Sequence, residues 1–181
     1  MNDQEDLKIA RSVLITEAES ILKAAKKLDS TFKNAIDILD APKRKIIVTG
    51  IGKSGHLGKK ISATLCSTGS PSCFLHPAEA VHGDLGIHQI GDPVIFLSNS
   101  GSTPELLSLA PVLRKRKALI VGILGKTKSK LAEKVDVALD ASVTIEADPL
   151  GIVPTASFAV AASLGDAIAS ALMKRKNFSE T

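Results

Sequence analysis

The stretch "KIIVTGIGKSGHLGKK" (residues 45–60) joins an apolar run to a glycine-rich turn and continues into a segment that we expect to be helical. A strand that ends in such a turn and leads into a helix is typical of a β/α unit whose backbone approaches a phosphate group closely. Two phosphate-binding patterns overlap here, since "GIGKSG" has the glycine spacing of a dinucleotide turn and "GKS" resembles the end of a P-loop. The stretch therefore predicts an α/β domain with an anion site at this turn and leaves the ligand open.

The rest of the chain alternates short apolar runs with helical patterns. The apolar runs are rich in Val, Ile and Leu without strict alternation, as in parallel strands that are covered on both faces. The predicted strands are 45–49, 72–75, 93–98, 118–124 and 136–140, and the predicted helices are 54–68, 103–117, 127–134 and 155–176. The pattern predicts a three-layer αβα sandwich around a five-stranded parallel sheet of flavodoxin-like order, 2-1-3-4-5.

A chain of 181 residues fits a single domain. Residues 1–40 have apolar positions at helical spacing, with Asp29 or Ser30 placed to cap a second helix, and we expect this segment to pack on the β/α core of residues 41–181. The alanine-rich stretch 156–173 contains several serines and an aspartate, which favours a buried helix over a membrane span.

Composition excludes several classes of protein. A chain that is 44% hydrophobic and 23% charged is typical of a globular protein. The net charge of +4 comes from scattered basic residues, and the chain has neither Trp nor Tyr, so nucleic-acid binding is disfavoured. Cys66 and Cys73 lack ligand spacing and are expected to be buried thiols; together with the missing signal-peptide pattern this predicts a cytoplasmic protein.

A second loop decides between the possible ligands. A P-loop would need glycine at position 47, which is Ile, and a dinucleotide site would need an acidic residue after the second strand, where the chain has "LHP". The third strand instead ends in "SNSGST" (residues 98–103), whose hydroxyls lie just before a helix start. With Ser54 from the first loop, these hydroxyls favour a small phosphorylated metabolite.

At these residues the chain resembles the sugar isomerase (SIS) domain family, and within it the arabinose-5-phosphate isomerases. The resemblance runs from about Lys45 to the last residue and includes "GIGKSGHLGKK", "STGSPSCFLHPAEAVHGDLG", "SNSGSTPEL" and "DPLGIVPT". It implies interconversion of ribulose 5-phosphate and arabinose 5-phosphate through an enediol, in the synthesis of the lipopolysaccharide sugar Kdo. It also implies a homotetramer with sites near subunit boundaries and no required cofactor.

Typical members of the family continue into a paired CBS regulatory module. The family also usually carries a His-Pro-Gly-Gly segment, whose histidine it associates with catalysis. The sequence of 181 residues contains neither.

The resemblance also implies roles for individual residues. Glu146 is favoured as the base that moves the proton, and Lys53 is expected to neutralise phosphate or a developing oxyanion. The residues implied as catalytic are Lys53, Glu105, Glu146 and His82, and those implied as substrate-binding are Gly52, Ser54, Gly69, Ser70, His76, His82, Ser98, Asn99, Ser100, Gly101, Ser102 and Thr103.

Alternatives to these roles stay open. His76 also matches a zinc-associated position of some members, and any zinc is interpreted as incidental or inhibitory. A helix-dipole role would explain Glu105 equally well, and His88 is expected on a surface loop. A non-catalytic phosphosugar-binding module and an isomerase of another sugar phosphate remain as alternative functions.

Overall fold

A computed structural model describes residues 3–179, which are built around a parallel sheet of five strands. The strands are β1 (Ile46–Thr49), β2 (Ser72–Phe74), β3 (Val94–Ser98), β4 (Ile120–Leu124) and β5 (Val137–Asp140). They lie in the order β2-β1-β3-β4-β5, so the predicted flavodoxin-like order is confirmed. In the centre of the sheet, Val48 pairs with Phe74 on one side and with Ile95 on the other.

Helices cover both faces of the sheet. One face carries α2 (Ser30–Leu39), α3 (Lys53–Ser67) and α6 (Ala156–Arg175), with α1 (Asp3–Lys26) packed mainly on α6. The other face carries α4 (Pro77–Ala80) and α5 (Pro104–Lys115). The predicted three-layer αβα sandwich is therefore confirmed.

The central strands are almost entirely apolar because their side chains contribute to two hydrophobic cores, one on each face of the sheet. In β3, Ile95 and Leu97 belong to the core under α3 and α6, while Val94 and Phe96 belong to the core under α5. Every residue of β3 and of β4 is buried. Strict alternation with polar residues is absent for this reason.

The N-terminal segment forms two helices separated at residues 27–29. Asp29 caps the second helix, since its carboxylate accepts a hydrogen bond from the Thr31 amide at 2.8 Å and from the Thr31 hydroxyl at 2.7 Å. These hydrogen bonds hold the pKa of Asp29 below its ordinary value. The prediction of a cap at this position is confirmed.

Helix α6 has the length and apolar composition that could cross a membrane. In this fold it packs in the core instead, with Val160, Ile168 and Leu172 fully buried. The prediction of a buried helix here is confirmed.

The predicted helix at 127–134 is wrong. Only a single 3₁₀ turn forms there, at Ala132–Lys134. Leu131 is fully buried, and its amide donates to the carbonyl of Gly101 at 3.0 Å, which ties the connection to the loop after β3. The segment between β2 and β3 contains two short elements that the sequence pattern does not predict, α4 and a 3₁₀ helix at Asp84–Ile87.

Two expectations about exposure are also wrong. Cys66 is exposed and Cys73 is half-buried, so the two thiols are not a buried pair. His88 is completely buried, with its Nε2 3.1 Å from the carbonyl of Asp92 and its Nδ1 accepting from Arg116 Nε at 3.3 Å. These partners come from distant positions in the sequence or from a tight turn, so a loop sequence alone does not reveal them.

Candidate active site

A cleft opens at the carboxyl ends of β1, β3 and β4, where the strand order reverses between β1 and β3. Its walls come from the loops after these three strands and from the first turns of α6. The polar residues that line it are Lys53, Ser54, Ser98, Asn99, Ser100, Thr103, Lys126 and Ser157. Ligands of open α/β sheets bind at such a switch point, so the cleft lies where the sequence placed the anion site.

The loop after β1 brings a glycine turn and a helix start to the cleft. Gly52 has φ of +59°, a conformation that glycine adopts without strain, and Lys53 is the first residue of α3. A β-carbon at Gly55 would lie 2.9 Å from the carbonyl oxygen of Gly50, so the turn packs too tightly for a larger residue. Lys53 and Ser54 both face the cleft beside the first amides of α3, which favour an anion.

The loop after β3 is shaped by its own hydroxyls. Ser98 is buried; its Oγ accepts from the Gly101 amide at 3.0 Å and lies 2.8 Å from Thr103 Oγ1. Ser100 is exposed, and its Oγ accepts from the Ser102 amide at 3.2 Å. The structure thus separates an inner serine that holds the loop from outer serines that face solvent.

Gly125, after β4, lines the cleft and is not among the site residues predicted from the sequence. Its amide donates to the carbonyl of Ser98 at 3.1 Å. A β-carbon there would lie 2.0 Å from Asn99 Oδ1 and 2.5 Å from the Asn99 carbonyl oxygen. Its position directly after an apolar strand was the signal in the sequence. The close contact between Gly125 and Asn99 sets the distance between the loops that follow β4 and β3.

Glu146 lies beside the start of α6. Its Oε2 accepts from the Thr155 amide at 2.9 Å, the Thr155 hydroxyl at 3.2 Å and the Ser157 amide at 3.1 Å. Burial raises the pKa of Glu146, but the hydrogen bonds from Ser157 and Thr155 outweigh burial and hold it below its ordinary value. The carboxylate is therefore ionised at neutral pH and fixes the helix start whose Ser157 lines the cleft.

Comparison with known proteins identifies the family. The SIS domain model matches residues 41–171. This chain belongs to the SIS domain family. It is 43% identical to arabinose 5-phosphate isomerase KdsD of Pseudomonas aeruginosa, over 98% of this chain and 56% of that protein. It is 42% identical to arabinose 5-phosphate isomerase KdsD of Escherichia coli K12, over 93% of this chain and 51% of that protein.

The chain spans about half the length of these curated relatives. A solved structure similar to it is c3406 of E. coli CFT073 in complex with arabinose 5-phosphate. The two are 37% identical with a TM-score of 0.94, over 99% of this chain and 96% of that one. The similarity therefore covers the whole SIS domain.

Three implied residues of this SIS domain lie outside the cleft lining. Glu105 is exposed in the first turn of α5, and His82 is exposed in the turn after α4. His76 precedes α4, and its ring meets the edge of Phe74 with 6.4 Å between the ring centres. All three follow carboxyl ends of strands, but none is among the described residues that line the cleft.

Gly69 and Ser70 are separated from the cleft of their own chain. They connect the end of α3 to the beginning of β2, at the amino edge of the sheet. Ser70 Oγ accepts from Lys176 Nζ at 2.9 Å, and a β-carbon at Gly69 would lie 2.4 Å from the ring of Phe178. One subunit therefore does not bring these two residues to the other substrate-binding candidates.

A zinc site within one chain does not fit the residues present. Within residues 3–179, no group of three or more His, Cys, Asp or Glu side chains is close enough to hold a metal ion. His76 has a buried Nδ1 without a hydrogen-bond partner, which supplies a single ligand atom at most. One histidine is insufficient for a zinc site, which takes at least three protein ligands.

Proposed function

We propose that this SIS domain isomerises a sugar phosphate and that its substrates are D-ribulose 5-phosphate and D-arabinose 5-phosphate. The observation that carries the proposal is the convergence of two hydroxyl-rich helix starts, α3 and α5, on one cleft that also contains Lys53. The names of the curated relatives and the complex of E. coli c3406 with arabinose 5-phosphate support the choice of substrate.

The phosphate group would bind between the two loops. Ser54, Ser100 and Thr103 line this part of the cleft, and the first amides of α3 and α5 have no partner within their own helices. A helix N-terminus and hydroxyl groups together bind a dianion without a cluster of arginines. Lys53 and Lys126 are the cations among the described lining residues, and they balance part of the phosphate charge.

The isomerisation itself needs a base, a proton carrier and a group that stabilises negative charge on oxygen. From arabinose 5-phosphate, a carboxylate removes the C2 proton, an enediol forms, and the carboxyl group returns the proton to C1. We assign this exchange to Glu146, which the low pKa keeps ionised. Lys53 stabilises the developing oxyanion, and His82 and Glu105 are the candidates for the hydroxyl protons.

The wider role follows from the same resemblance. We propose that the reaction supplies arabinose 5-phosphate for Kdo and lipopolysaccharide synthesis in the cytoplasm. The proposal requires no cofactor and gives zinc at most an incidental or inhibitory role. It includes self-association to a homotetramer, with a pentose phosphate as ligand and neither nucleic acid nor membrane as a partner.

A non-catalytic phosphosugar-binding module is the second candidate, and one specific observation favours it. Three of the four residues implied as catalytic, Glu105, Glu146 and His82, do not line the cleft of a single chain. In this candidate the cleft binds a sugar phosphate, and Glu146 serves only to fix the start of α6. An isomerase of a hexulose or heptose phosphate would bind the same phosphate group and differ at the sugar.

Turnover of ribulose 5-phosphate by the purified chain, followed by NMR, tests the proposal directly. We expect arabinose 5-phosphate to appear, and we expect Lys53→Ala to abolish its formation. A panel of pentose, hexose and heptose phosphates in a thermal-shift assay runs in parallel, because a ligand stabilises the state that binds it. Binding without turnover in both this chain and a longer one that contains the His-Pro-Gly-Gly segment would favour the binding module.

A further inference from the structure

Ser157, in the first turn of α6, has a buried hydroxyl group without a hydrogen-bond partner. The residue lines the cleft, and only 5% of its surface is exposed. Among the described residues 3–179, four buried side-chain atoms lack a partner: Thr49 Oγ1, His76 Nδ1, Asp92 Oδ1 and Ser157 Oγ. Of these four residues, Ser157 is the one that lines the cleft. It therefore combines an unused polar atom with a place at the candidate site.

The polar groups around Ser157 are used by the fold, and its hydroxyl is not. Ser98 Oγ lies 2.8 Å from Thr103 Oγ1. The Thr155 hydroxyl donates to Glu146, and so does the amide of Ser157, at 3.1 Å. Burying a hydroxyl without a partner costs stability, and alanine would avoid that cost. Buried polar groups are normally paired, so a bond to a ligand explains why a hydroxyl group is present here.

The cleft has an inner and an outer part, and Ser157 belongs to the inner one. The inner part is mainly apolar, with walls that include Leu57, Leu97, Ile123, Phe158 and Ala161. The outer part, where we propose that the phosphate binds, is lined by Ser100, Thr103 and Lys126. A sugar phosphate held there by its phosphate would extend its other end, with C1 and C2, towards Lys53 and Ser157. In apolar surroundings a hydrogen bond to a developing charge is stronger than in water.

Ser157 also lies beside the proposed base. Its amide holds the carboxylate of Glu146, and its hydroxyl is close enough to help lower the pKa of Glu146. The hydroxyl nevertheless has no hydrogen bond of good geometry to that carboxylate. Rotation about the Cα–Cβ bond moves a serine hydroxyl between staggered positions, so Ser157 can bond to a ligand that enters the cleft without giving up the contact of its amide.

We propose that the Ser157 hydroxyl donates a hydrogen bond to the sugar oxygen that becomes negatively charged as the enediol forms. When Glu146 removes the C2 proton of arabinose 5-phosphate, the electron pair of that bond forms the double bond between C1 and C2, and the negative charge develops on O1. Ser157 keeps its own proton and stabilises O1 together with Lys53. The inference rests on the proposed isomerase function and adds a substrate-contacting residue to it.

Ser157→Ala tests this contact, because alanine keeps the backbone amide that holds Glu146. We expect the turnover number for arabinose 5-phosphate at neutral pH to fall about 100-fold, as when one donor to an oxyanion is removed. The thermal midpoint should stay equal or rise, since the lost hydroxyl has no partner in the fold. Ser163→Ala is the matched control on the same helix: the Ser163 hydroxyl donates to the Ala159 carbonyl at 2.9 Å, and this variant should keep its turnover.

Two other results would assign Ser157 a different role. A loss of turnover together with a lower thermal midpoint would show that the hydroxyl stabilises the fold. Full turnover at neutral pH with a shifted acidic limb of the pH–rate profile would show that Ser157 acts only through the pKa of Glu146. Either result overturns the proposed contact.

Calorimetry with two probes locates the lost interaction. The hydroxamate of 5-phospho-D-arabinonic acid resembles the enediol intermediate and should bind Ser157→Ala at least about tenfold more weakly than wild type. Inorganic phosphate occupies only the outer part of the cleft and should bind both proteins equally. Equal binding of the hydroxamate would contradict the contact between Ser157 and the sugar.

The outcomes separate this inference from the proposed function. An active wild type with full turnover in Ser157→Ala overturns the contact and leaves the isomerase function supported. Absence of turnover in the wild-type chain and in a longer one that contains the His-Pro-Gly-Gly segment overturns the isomerase function. In that case the hydroxamate still reports whether Ser157 contacts the reacting end of the sugar.

Discussion

The carboxylate of Glu146 accepts a hydrogen bond from the amide of Thr155 at 2.9 Å, so a residue nine positions upstream caps the start of α6. This relationship connects the loop after β5 to the helix that forms one wall of the cleft. Glu146 therefore has a structural role besides its proposed catalytic role. A substitution should affect stability through the first role and turnover through the second.

Glu146→Gln should separate the tasks. The glutamine keeps an oxygen acceptor but loses the negative charge beside the positive end of α6, so we expect unfolding to require about 1 kcal/mol less. We also expect turnover to be abolished while sugar-phosphate binding, measured by calorimetry, persists. Glu133→Gln, on an exposed turn, is the control. Loss of binding together with turnover would assign Glu146 a structural role only.

The wild type and Glu146→Gln should also differ in how their stability depends on pH. Because the folded pKa of Glu146 is lower than the ordinary value of 4.5, its stabilising contribution is present above pH 4.5 and is lost as pH falls through the folded pKa. The difference in unfolding free energy between wild type and Glu146→Gln should therefore shrink on acidification below that pH. Urea titrations at a series of acidic pH values measure this difference, and a constant difference would contradict the assignment.

The serine loop allows a second comparison. Ser98→Ala removes the acceptor of the Gly101 amide and the partner of Thr103, so we expect a loss of about 1–2 kcal/mol of stability and weaker ligand binding. Ser100 is exposed; Ser100→Ala should weaken binding of arabinose 5-phosphate with a stability change below about 0.5 kcal/mol. Thermal unfolding and calorimetry distinguish the two. Equal destabilisation by both variants would contradict the division into inner and outer serines.

Gly125→Ala should disturb the spacing of the loops. The added methyl group would collide with the backbone carbonyl of Asn99 at 2.5 Å, which a rotamer change does not relieve. We expect about 1–3 kcal/mol of destabilisation and weaker sugar-phosphate binding. Gly86→Ala is the matched control, since a β-carbon at Gly86 meets no atom within 4 Å. Normal binding by Gly125→Ala would show that the loops move apart without consequence.

Much of this fold could be predicted because local signals and burial agree. Residues 46–48 are apolar, all of 46–49 are buried, and glycines follow, so both the strand and the turn after it were identifiable. The segment 127–134 misled because its helical pattern is overruled by a tertiary contact, the hydrogen bond from Leu131 to Gly101. The helix propensity of a short segment contributes little free energy compared with such tertiary packing.

The site was predictable in location but not in detail. Ser98 ends β3 and Ser54 lies shortly after β1, and the predicted strand order places both at one edge of the sheet, which is a topological inference. The hydrogen bonds of Glu146 to α6 join residues that a loop separates, and no spacing rule indicates them. Likewise, Gly69 and Ser70 were assigned through resemblance, which carries no information about which edge of the sheet they occupy.

His88 provides a prediction at the opposite edge of the sheet. Burial lowers the pKa of His88, the nearby Asp92 opposes that change, and the cations of Arg116 and Lys45 reinforce it. Its Nδ1 accepts a hydrogen bond from Arg116, so protonation there removes an acceptor and adds a second positive charge. Because the folded pKa is below 6.5, the unfolded chain binds more protons as pH falls below 6.5, and stability should decrease there.

Urea unfolding of wild type and His88→Gln at pH values above and below 6.5 measures this effect. The wild type should lose more stability on acidification than His88→Gln, although the variant should be less stable at the higher pH because it disturbs a fully buried position. His56→Gln, the same change at an exposed histidine, is the control for the substitution itself. Equal pH dependence in wild type and His88→Gln would mean that His88 is protonated as readily in the folded chain as in the unfolded one.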